Sequence, residues 1–187
     1  MRIVAGKNRG RVLIAPTGDD TRPTLGRARQ SLFDILEHGK FSASGESLLP
    51  GAKVLEAFAG SGAFAFEALS RGAAFATLMD TNRAAQGAQR RNAETLSEVK
   101  TSRILGADAT KPPQGEIQNL VFLDPPYGSG LAGPALIALA AAGWIGVDTL
   151  CIVEVAAKDT VTAPDDFCVL DERQYGPAKF VFLQRAQ

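Results

Sequence analysis

One junction constrains the fold more than any other stretch of the chain. The apolar run Lys53-Val54-Leu55-Glu56-Ala57-Phe58 passes directly into Ala59-Gly60-Ser61-Gly62, and a helical pattern follows over 63–71, closed by Gly72. A strand that turns through glycines into a helix is the building unit of parallel sheets. The unit then repeats. A strand is expected over 75–79, ending in Asp80, and a helix over 82–96. A third strand over 102–105 leads into Gly106-Ala107-Asp108, and a fourth covers 120–123. A helix over 131–142 and a nearly continuous apolar strand over 150–155 complete the series. Strands alternating with helices predict an α/β chain whose mostly parallel sheet is covered on both faces. The last two strand patterns, 167–171 and 179–184, have no helix between them and read as an antiparallel hairpin.

A chain of 187 residues suffices for one domain with a sizeable core. Residues 1–40 read as an N-terminal extension, 41–51 as a polar linker and 51–187 as the main body. No apolar run reaches the roughly 18 residues of a bilayer span, and no signal-peptide pattern opens the chain, so a cytoplasmic location is expected. Cys151 and Cys168 lie far apart without ligand spacing. They read as reduced core thiols, and no metal site is expected. His38 reads as a surface or capping residue at a helix end.

The net charge is zero but unevenly spread. Arg2, Lys7, Arg9, Arg11, Arg22, Arg27 and Arg29 face only Asp19 and Asp20 in the first 29 residues, a net charge of +5 that leaves −5 for the rest. Such a basic arm suits an anionic partner, nucleic acid first, and arginine forks suit phosphate better than lysine does. The plainer reading is a solvated face with scattered arginines. Two short strands, 2–5 and 11–15, flank a glycine-bracketed turn and predict a hairpin. Thr24 is a candidate N-cap for a helix running to about Glu37, with Leu25, Ala28, Leu32 and Leu36 on one face and Arg27 and Arg29 largely off it.

The chemistry concentrates at strand ends. Asp124-Pro125-Pro126-Tyr127 follows the fourth strand, which the prolines terminate because neither can donate to a ladder. A carboxylate and a carbonyl side by side can accept the two N–H groups of a planar amine, and a tyrosine can stack on the base carrying it. The tetrapeptide alone is equally readable as a rigid turn with a core tyrosine. At the other strand ends, Gly60 and Gly62 let the backbone approach a ligand. Asp80 can accept both hydroxyls of a ribose, Asp108 stands where an adenine amino group could be held, and Glu56 can accept from a ligand ammonium. The third glycine of a dinucleotide fingerprint is absent, because Gly60-Ser61-Gly62 continues as Ala63-Phe64-Ala65. A nucleoside cofactor with a charged amino-acid tail therefore fits better than a pyrophosphate.

Together these residues resemble the class I S-adenosylmethionine-dependent methyltransferases, and most closely the RsmD family of small-subunit ribosomal RNA guanine N2-methyltransferases. The similarity spans nearly the whole chain. It rests on Arg2-Ile3-Val4-Ala5-Gly6 with Arg9-Gly10-Arg11, on Arg22-Pro23-Thr24 with Arg27, Arg29, Leu32 and Phe33, on Phe58-Ala59-Gly60-Ser61-Gly62 with the 67–73 segment, and on Asp124-Pro125-Pro126-Tyr127. Glu56 stands where the family commonly has Asp, and Asp80 where it has Glu. Phe64 and Phe66 replace smaller or aliphatic residues and read as a repacked core.

The resemblance implies a Rossmann-like class I methyltransferase fold in a single domain. It comprises a seven-stranded, mostly parallel sheet with an antiparallel C-terminal hairpin, plus an N-terminal β-hairpin and helix. It implies S-adenosylmethionine as cofactor, contacted by Glu56, Phe58, Gly60, Ser61, Gly62, Asp80, Thr81, Ala107, Asp108 and Ala109. Asp124, Pro125, Pro126 and Tyr127 become the catalytic set. The implied partner is 16S rRNA, within assembled 30S subunits or late precursors, met by a monomer. Competing readings are a DNA adenine or protein glutamine methyltransferase, a Rossmann oxidoreductase, and an RNA-binding protein without catalysis. Asp124 in place of Asn disfavours the protein enzymes, the lack of room for a target-recognition domain disfavours the DNA enzymes, and the missing third glycine disfavours the oxidoreductase.

Overall fold

The computed structural model describes residues 1–16, 24–42 and 44–186. Among these residues seven strands form one sheet: β1 (Lys53–Ala57), β2 (Phe75–Met79), β3 (Ser102–Leu105), β4 (Leu120–Leu123), β5 (Leu150–Ala156), β6 (Phe167–Tyr175) and β7 (Ala178–Arg185). Among the described residues four helices accompany them: α1 (Thr24–Glu37), α2 (Ala63–Ser70), α3 (Arg83–Leu96) and α4 (Ala132–Ala141). The sheet order is β3-β2-β1-β4-β5-β7-β6. The first five strands are parallel, while β7 runs antiparallel to both β5 and β6. The expected seven-stranded sheet with its terminal hairpin is therefore present. Both hairpin strands are longer than expected, and β6 carries an irregularity between Val169 and Asp171.

Alternation along the strands divides the core. Val54, Leu120, Phe122, Ile152, Phe180 and Phe182 face one side, where α1, α2 and part of α3 pack on them. Leu55, Val121, Leu123, Val153, Val181 and Leu183 face the other side, against α4 and Trp144. A strand buried on both faces reads as a continuous apolar run, which is why these strands were visible in the sequence. Glu56 and Glu154 break the apolar pattern, and both sit near the carboxyl ends of their strands.

The order in which strands are laid down reverses at the parallel β1/β4 pair, with β2 and β3 to one side of β1 and β5 to the far side of β4. Open α/β sheets bind ligands in the crevice beyond such a switch point.

The N-terminal extension packs onto this body. Phe33 of α1 meets Phe64 of α2 at 5.0 Å, and Phe64 stacks on Phe122 of β4 at 4.4 Å. Phe64 and Phe66 are both buried, as their reading as core residues requires. Phe41 stacks on Phe182 at 4.6 Å, and Lys40 pairs with Asp171. The segment after α1, expected as a polar linker, is thus packed: Leu49 is fully buried, and Leu48 N–H donates to Leu36 O at 3.0 Å.

The expected N-terminal hairpin is reduced to one antiparallel bridge, Arg2 with Val12. Ile3 N–H donates to Arg11 O at 3.0 Å and Gly10 N–H to Ile3 O at 2.9 Å. What holds this segment is the body beneath it. The fully buried Glu67 accepts from the N–H groups of Val4 (2.8 Å) and Ala5 (3.0 Å), and it pairs with Arg71 at 2.8 Å. Ladder formation gives way to side-chain anchoring, so local strand pattern alone overstated the hairpin.

Asp19, Asp20, Arg22 and Pro23 lie outside the described residues, as does the capping contact expected of Thr24. Cys151 is buried as expected, but Cys168 is exposed, because β6 is an edge strand and turns that residue outward. His38 is exposed, and its Nδ1 lies 2.6 Å from Asp34 O. No described helix is long and apolar enough to cross a membrane.

Candidate active site

A cleft of about 930 Å³ opens at the carboxyl ends of the strands. Its floor is the turn between β1 and α2. Phe58 holds φ at 58°, a costly conformation for a residue with a Cβ, and Gly60 and Gly62 also lie at positive φ. The two glycines are needed for different reasons. A Cβ on Gly62 would sit 2.3 Å from Leu78 Cδ2, so close packing excludes any side chain there. A Cβ on Gly60 would meet nothing within 4 Å, because it would enter the cleft. Gly60 fits the role of a backbone approached by a ligand. Gly62 does not line the cleft and acts through packing instead.

The turn is tied down from three sides. Gly60 N–H donates to Asp80 Oδ2 at 2.8 Å. Gln89 Nε2 donates to Gly60 O, and Asn92 Nδ2 to Ser61 O, each at 3.0 Å. Both α3 residues are fully buried. Neither was expected from sequence, where polar residues on a helix read as solvent-facing; the signal available was their three-residue spacing on one helical face.

Glu56 sits 4% exposed, with its carboxylate against the start of α2. It accepts Phe64 N–H at 3.1 Å and Ala65 N–H at 2.9 Å, satisfying donors that have no partner within the helix. Burial pushes its pKa up to about 7 despite these bonds. Asp80 accepts Asn82 N–H at 2.8 Å through its other oxygen, and each oxygen keeps a second lone pair. Asp108 is exposed, and the Thr110 backbone N–H, followed by its hydroxyl, holds that carboxyl below the ordinary range. Phe58, Ser61, Thr81, Ala107 and Ala109 line the same cleft.

Across the cleft stands Asp124-Pro125-Pro126-Tyr127, all four residues lining it. Asp124 N–H donates to Ala57 O at 3.3 Å, which fixes the exit of β4 beside β1. Asp124 and Pro126 are exposed, and Pro125 is buried. Tyr127 is 45% exposed, which excludes its reading as a core tyrosine. Its hydroxyl donates to Glu154 Oε1 at 3.3 Å.

Glu154 was not singled out in the sequence, although a carboxylate ending an apolar strand was the signal used for the other sites. It is 6% exposed and lies one step beyond the Leu123/Val153 pair, alongside Asp124. Burial pushes its pKa up to about 7, against the Tyr127 hydroxyl and the charge of Arg29. Among the described residues no cluster of three or more His, Cys, Asp or Glu is placed to hold a metal ion.

The basic residues divide. Arg2, Lys7, Arg9, Arg11 and Arg27 are exposed. Of these, Lys7 pairs with Glu98 at 2.9 Å, Arg2 Nη1 donates to Gly10 O, and Arg11 Nη2 donates to Thr95 O. Arg29 is only 8% exposed and lines the cleft. Its grouping with an outward-facing arm is corrected: α1 crosses the sheet so that Arg29 faces the strand ends while Arg27, two residues earlier, faces solvent.

The described geometry has clear relatives. The family model described as "Conserved hypothetical protein 95" matches residues 1–184. The Ribosomal RNA small subunit methyltransferase D of Escherichia coli K12 is 33% identical over 99% of this chain and 90% of its own length. Its Haemophilus influenzae counterpart is 29% identical over 98% of this chain and 93% of its own length. The solved Escherichia coli structure of yhhF superposes with a TM-score of 0.81 at 34% identity, covering 100% of this chain and 99% of that one. Sheet order, glycine turn and strand-end carboxylates are those of a Rossmann-like class I methyltransferase fold, and the chain belongs to the RsmD family.

Proposed function

We propose that this chain is a cytoplasmic, monomeric enzyme that methylates the N2 amino group of one guanine in 16S rRNA, using S-adenosylmethionine, on assembled small subunits or late precursors. The observation that carries the proposal is a juxtaposition: Asp124-Pro125-Pro126-Tyr127 and the Gly60 turn with Asp80 line one cleft at the sheet's switch point. The names of the relatives point to small-subunit ribosomal RNA as the substrate class.

The cleft fits the cofactor. Asp80 has lone pairs left for two ribose hydroxyls, the open space above Gly60 admits a backbone approach, and Asp108 lies at the mouth for the base. Glu56, already holding the start of α2, presents its carboxyl group to an ammonium, whose charge favours the ionised form. When bound, the cofactor supplies a methyl group already activated by a sulfonium. The remaining work is placement. Asp124 and the Pro125 carbonyl accept the two N–H bonds of the guanine amine and turn its lone pair toward the methyl carbon. Asp124 would then take the proton released as the N–C bond forms and the S–C bond breaks, with S-adenosylhomocysteine as the leaving group. Tyr127 stacks on the unstacked base, offsetting part of the few kcal/mol that extrusion costs. Exposed cations of the N-terminal extension, Arg9 and Arg27 first, contact RNA phosphates.

The test is transfer of labelled methyl from the cofactor to undermethylated small subunits, followed by digestion to nucleosides. Label in N2-methylguanosine is the expected result. Label in N6-methyladenosine, or in protein, overturns the reading.

A further inference from the structure

The one arginine or lysine among the described residues lining the cleft is Arg29, and it is poorly provided for. Its side chain is more than nine-tenths buried. One nitrogen, Nη2, donates to Arg2 O at 2.7 Å. Its Nε is buried with no hydrogen-bond partner among the described residues. A buried guanidinium with an idle N–H is costly unless something completes it. Burial also lowers its affinity for its proton, an effect that the charges of Glu67, Glu56 and Glu154 counter.

What could complete it is limited by the surrounding charge. Glu56, Asp80, Asp108, Asp124 and Glu154 share the cleft with Arg29. A simple anion such as phosphate would meet five carboxyl groups for one guanidinium. A zwitterion meets the arrangement on both counts, with an ammonium toward Glu56 and a carboxylate toward Arg29. A guanidinium fork is also suited to a planar carboxylate. Resting on the reading that the cleft takes S-adenosylmethionine, we infer that Arg29 is the binding residue for the α-carboxylate of the cofactor's amino-acid tail, rather than a contact for RNA phosphate. Because Arg29 also holds the Arg2 carbonyl, this assignment makes the N-terminal extension one wall of the cofactor site.

Calorimetric titration with three product-like ligands tests the assignment without turnover. S-adenosylhomocysteine carries the whole tail. Its analogue with an aminopropyl tail lacks only the carboxylate, and 5′-methylthioadenosine lacks the entire amino acid. The intact protein should bind S-adenosylhomocysteine at least about tenfold more tightly than the aminopropyl analogue, a difference of about 1.4 kcal/mol. Arg29→Gln should abolish that preference and leave the affinities for the aminopropyl analogue and 5′-methylthioadenosine unchanged, and Arg29→Lys should restore part of it. Equal affinity of the unaltered protein for the first two ligands overturns the inference, whether or not the variants fold. So does a loss in Arg29→Gln that is the same for all three ligands, which marks a structural role. If the inference fails in these ways while 5′-methylthioadenosine still binds, the proposed methyl transfer stands. If the unaltered protein binds none of the three ligands, both readings fall.

Discussion

The strand-end cleft and the N-terminal extension are built on opposite terms. The cleft is acidic and assembled from backbone: a turn with three positive-φ residues, and strand ends fixed by registers such as Ala57 with Leu123. The extension is basic and attached by side chains reaching up from the body: Glu67 to Val4 and Ala5, Asn92 to Ile14, and Ser70 and Glu98 to Asn8. The difference teaches that the cleft is held by sheet topology, whereas the basic extension is held by a few polar clamps. Substitutions should therefore separate the two.

The largest effect is expected at Asp124. Asp124→Ala should lower turnover by about 10²–10⁴-fold, the range of a positioned proton acceptor, while cofactor affinity and the unfolding midpoint stay close to those of the unaltered protein. Radiolabelled transfer and calorimetry on the same preparation check both. Tyr127→Ala should also be severe. Tyr127→Phe should be mild, since the ring face remains while the 3.3 Å bond to Glu154 is lost. Equal losses in the two tyrosine variants would move the function from the ring to the hydroxyl.

Next in size is the clamp. Glu67→Ala strips the partners from two backbone N–H groups and from the buried Arg71, whose other bonds go to Glu37 and Gln30. Removing one member of a buried charged network costs about 3–5 kcal/mol. Denaturant unfolding should show that loss. If it shows less than about 1 kcal/mol, the extension is held by something other than this clamp.

Asp80→Ala should weaken binding of S-adenosylhomocysteine by at least about tenfold, because charged-acceptor hydrogen bonds contribute about 1.5–3 kcal/mol each. Part of the loss will come through Gly60, whose N–H also depends on Asp80. Unchanged affinity in a titration would remove Asp80 from the site.

A smaller effect is expected from pH. Glu56 and Glu154 are both pushed up to about 7 by burial. The folded state keeps these protons over a range in which the unfolded chain has lost them. Their contribution to stability is therefore largest below about 4.5, falls as pH rises toward about 7, and is flat beyond. A tenfold difference in proton affinity between the folded and unfolded chain corresponds to about 1.4 kcal/mol. Glu154→Gln should flatten part of the decline between about pH 5 and 7 in thermal or denaturant unfolding. An unchanged slope would mean that Glu154 titrates as an ordinary carboxylate.

The smallest effect concerns the exposed cations. Arg9→Ala with Arg27→Ala should lower the log–log salt slope of RNA binding by about 0.7–0.9 for each phosphate that is no longer neutralised, without altering cofactor affinity. A slope that does not move would restore the solvated-face reading of the arm.

Much of the sheet was legible because its strands are buried on both faces and end in punctuation. β1 through β5 lie within a residue or so of the positions that the apolar runs, Gly60 and Pro125 mark out. The carboxylates at the ends of β1 and β2 and beyond β3 and β4 were legible for the same reason. Glu154 was hidden inside a nearly continuous apolar strand, where a single charge reads as an interruption. Arg27 and Arg29 look alike in the sequence, and only the crossing of α1 over the sheet separates a solvated arginine from a buried one. Gln89 and Asn92 were missed because their partners are backbone carbonyls about thirty residues earlier, contacts that no local pattern encodes. The hairpin was overstated because its stability comes from Glu67, more than sixty residues away.

The central claim is that the strand-end cleft methylates N2 of a guanine in small-subunit ribosomal RNA. The most direct measurement is nucleoside mass spectrometry of that RNA from a strain lacking this gene, complemented with either the unaltered gene or Asp124→Ala. The account predicts that one N2-methylguanosine per small subunit disappears in the deletion strain, returns with the unaltered gene and stays absent with Asp124→Ala. An unchanged N2-methylguanosine content on deletion, or full restoration by Asp124→Ala, would contradict it.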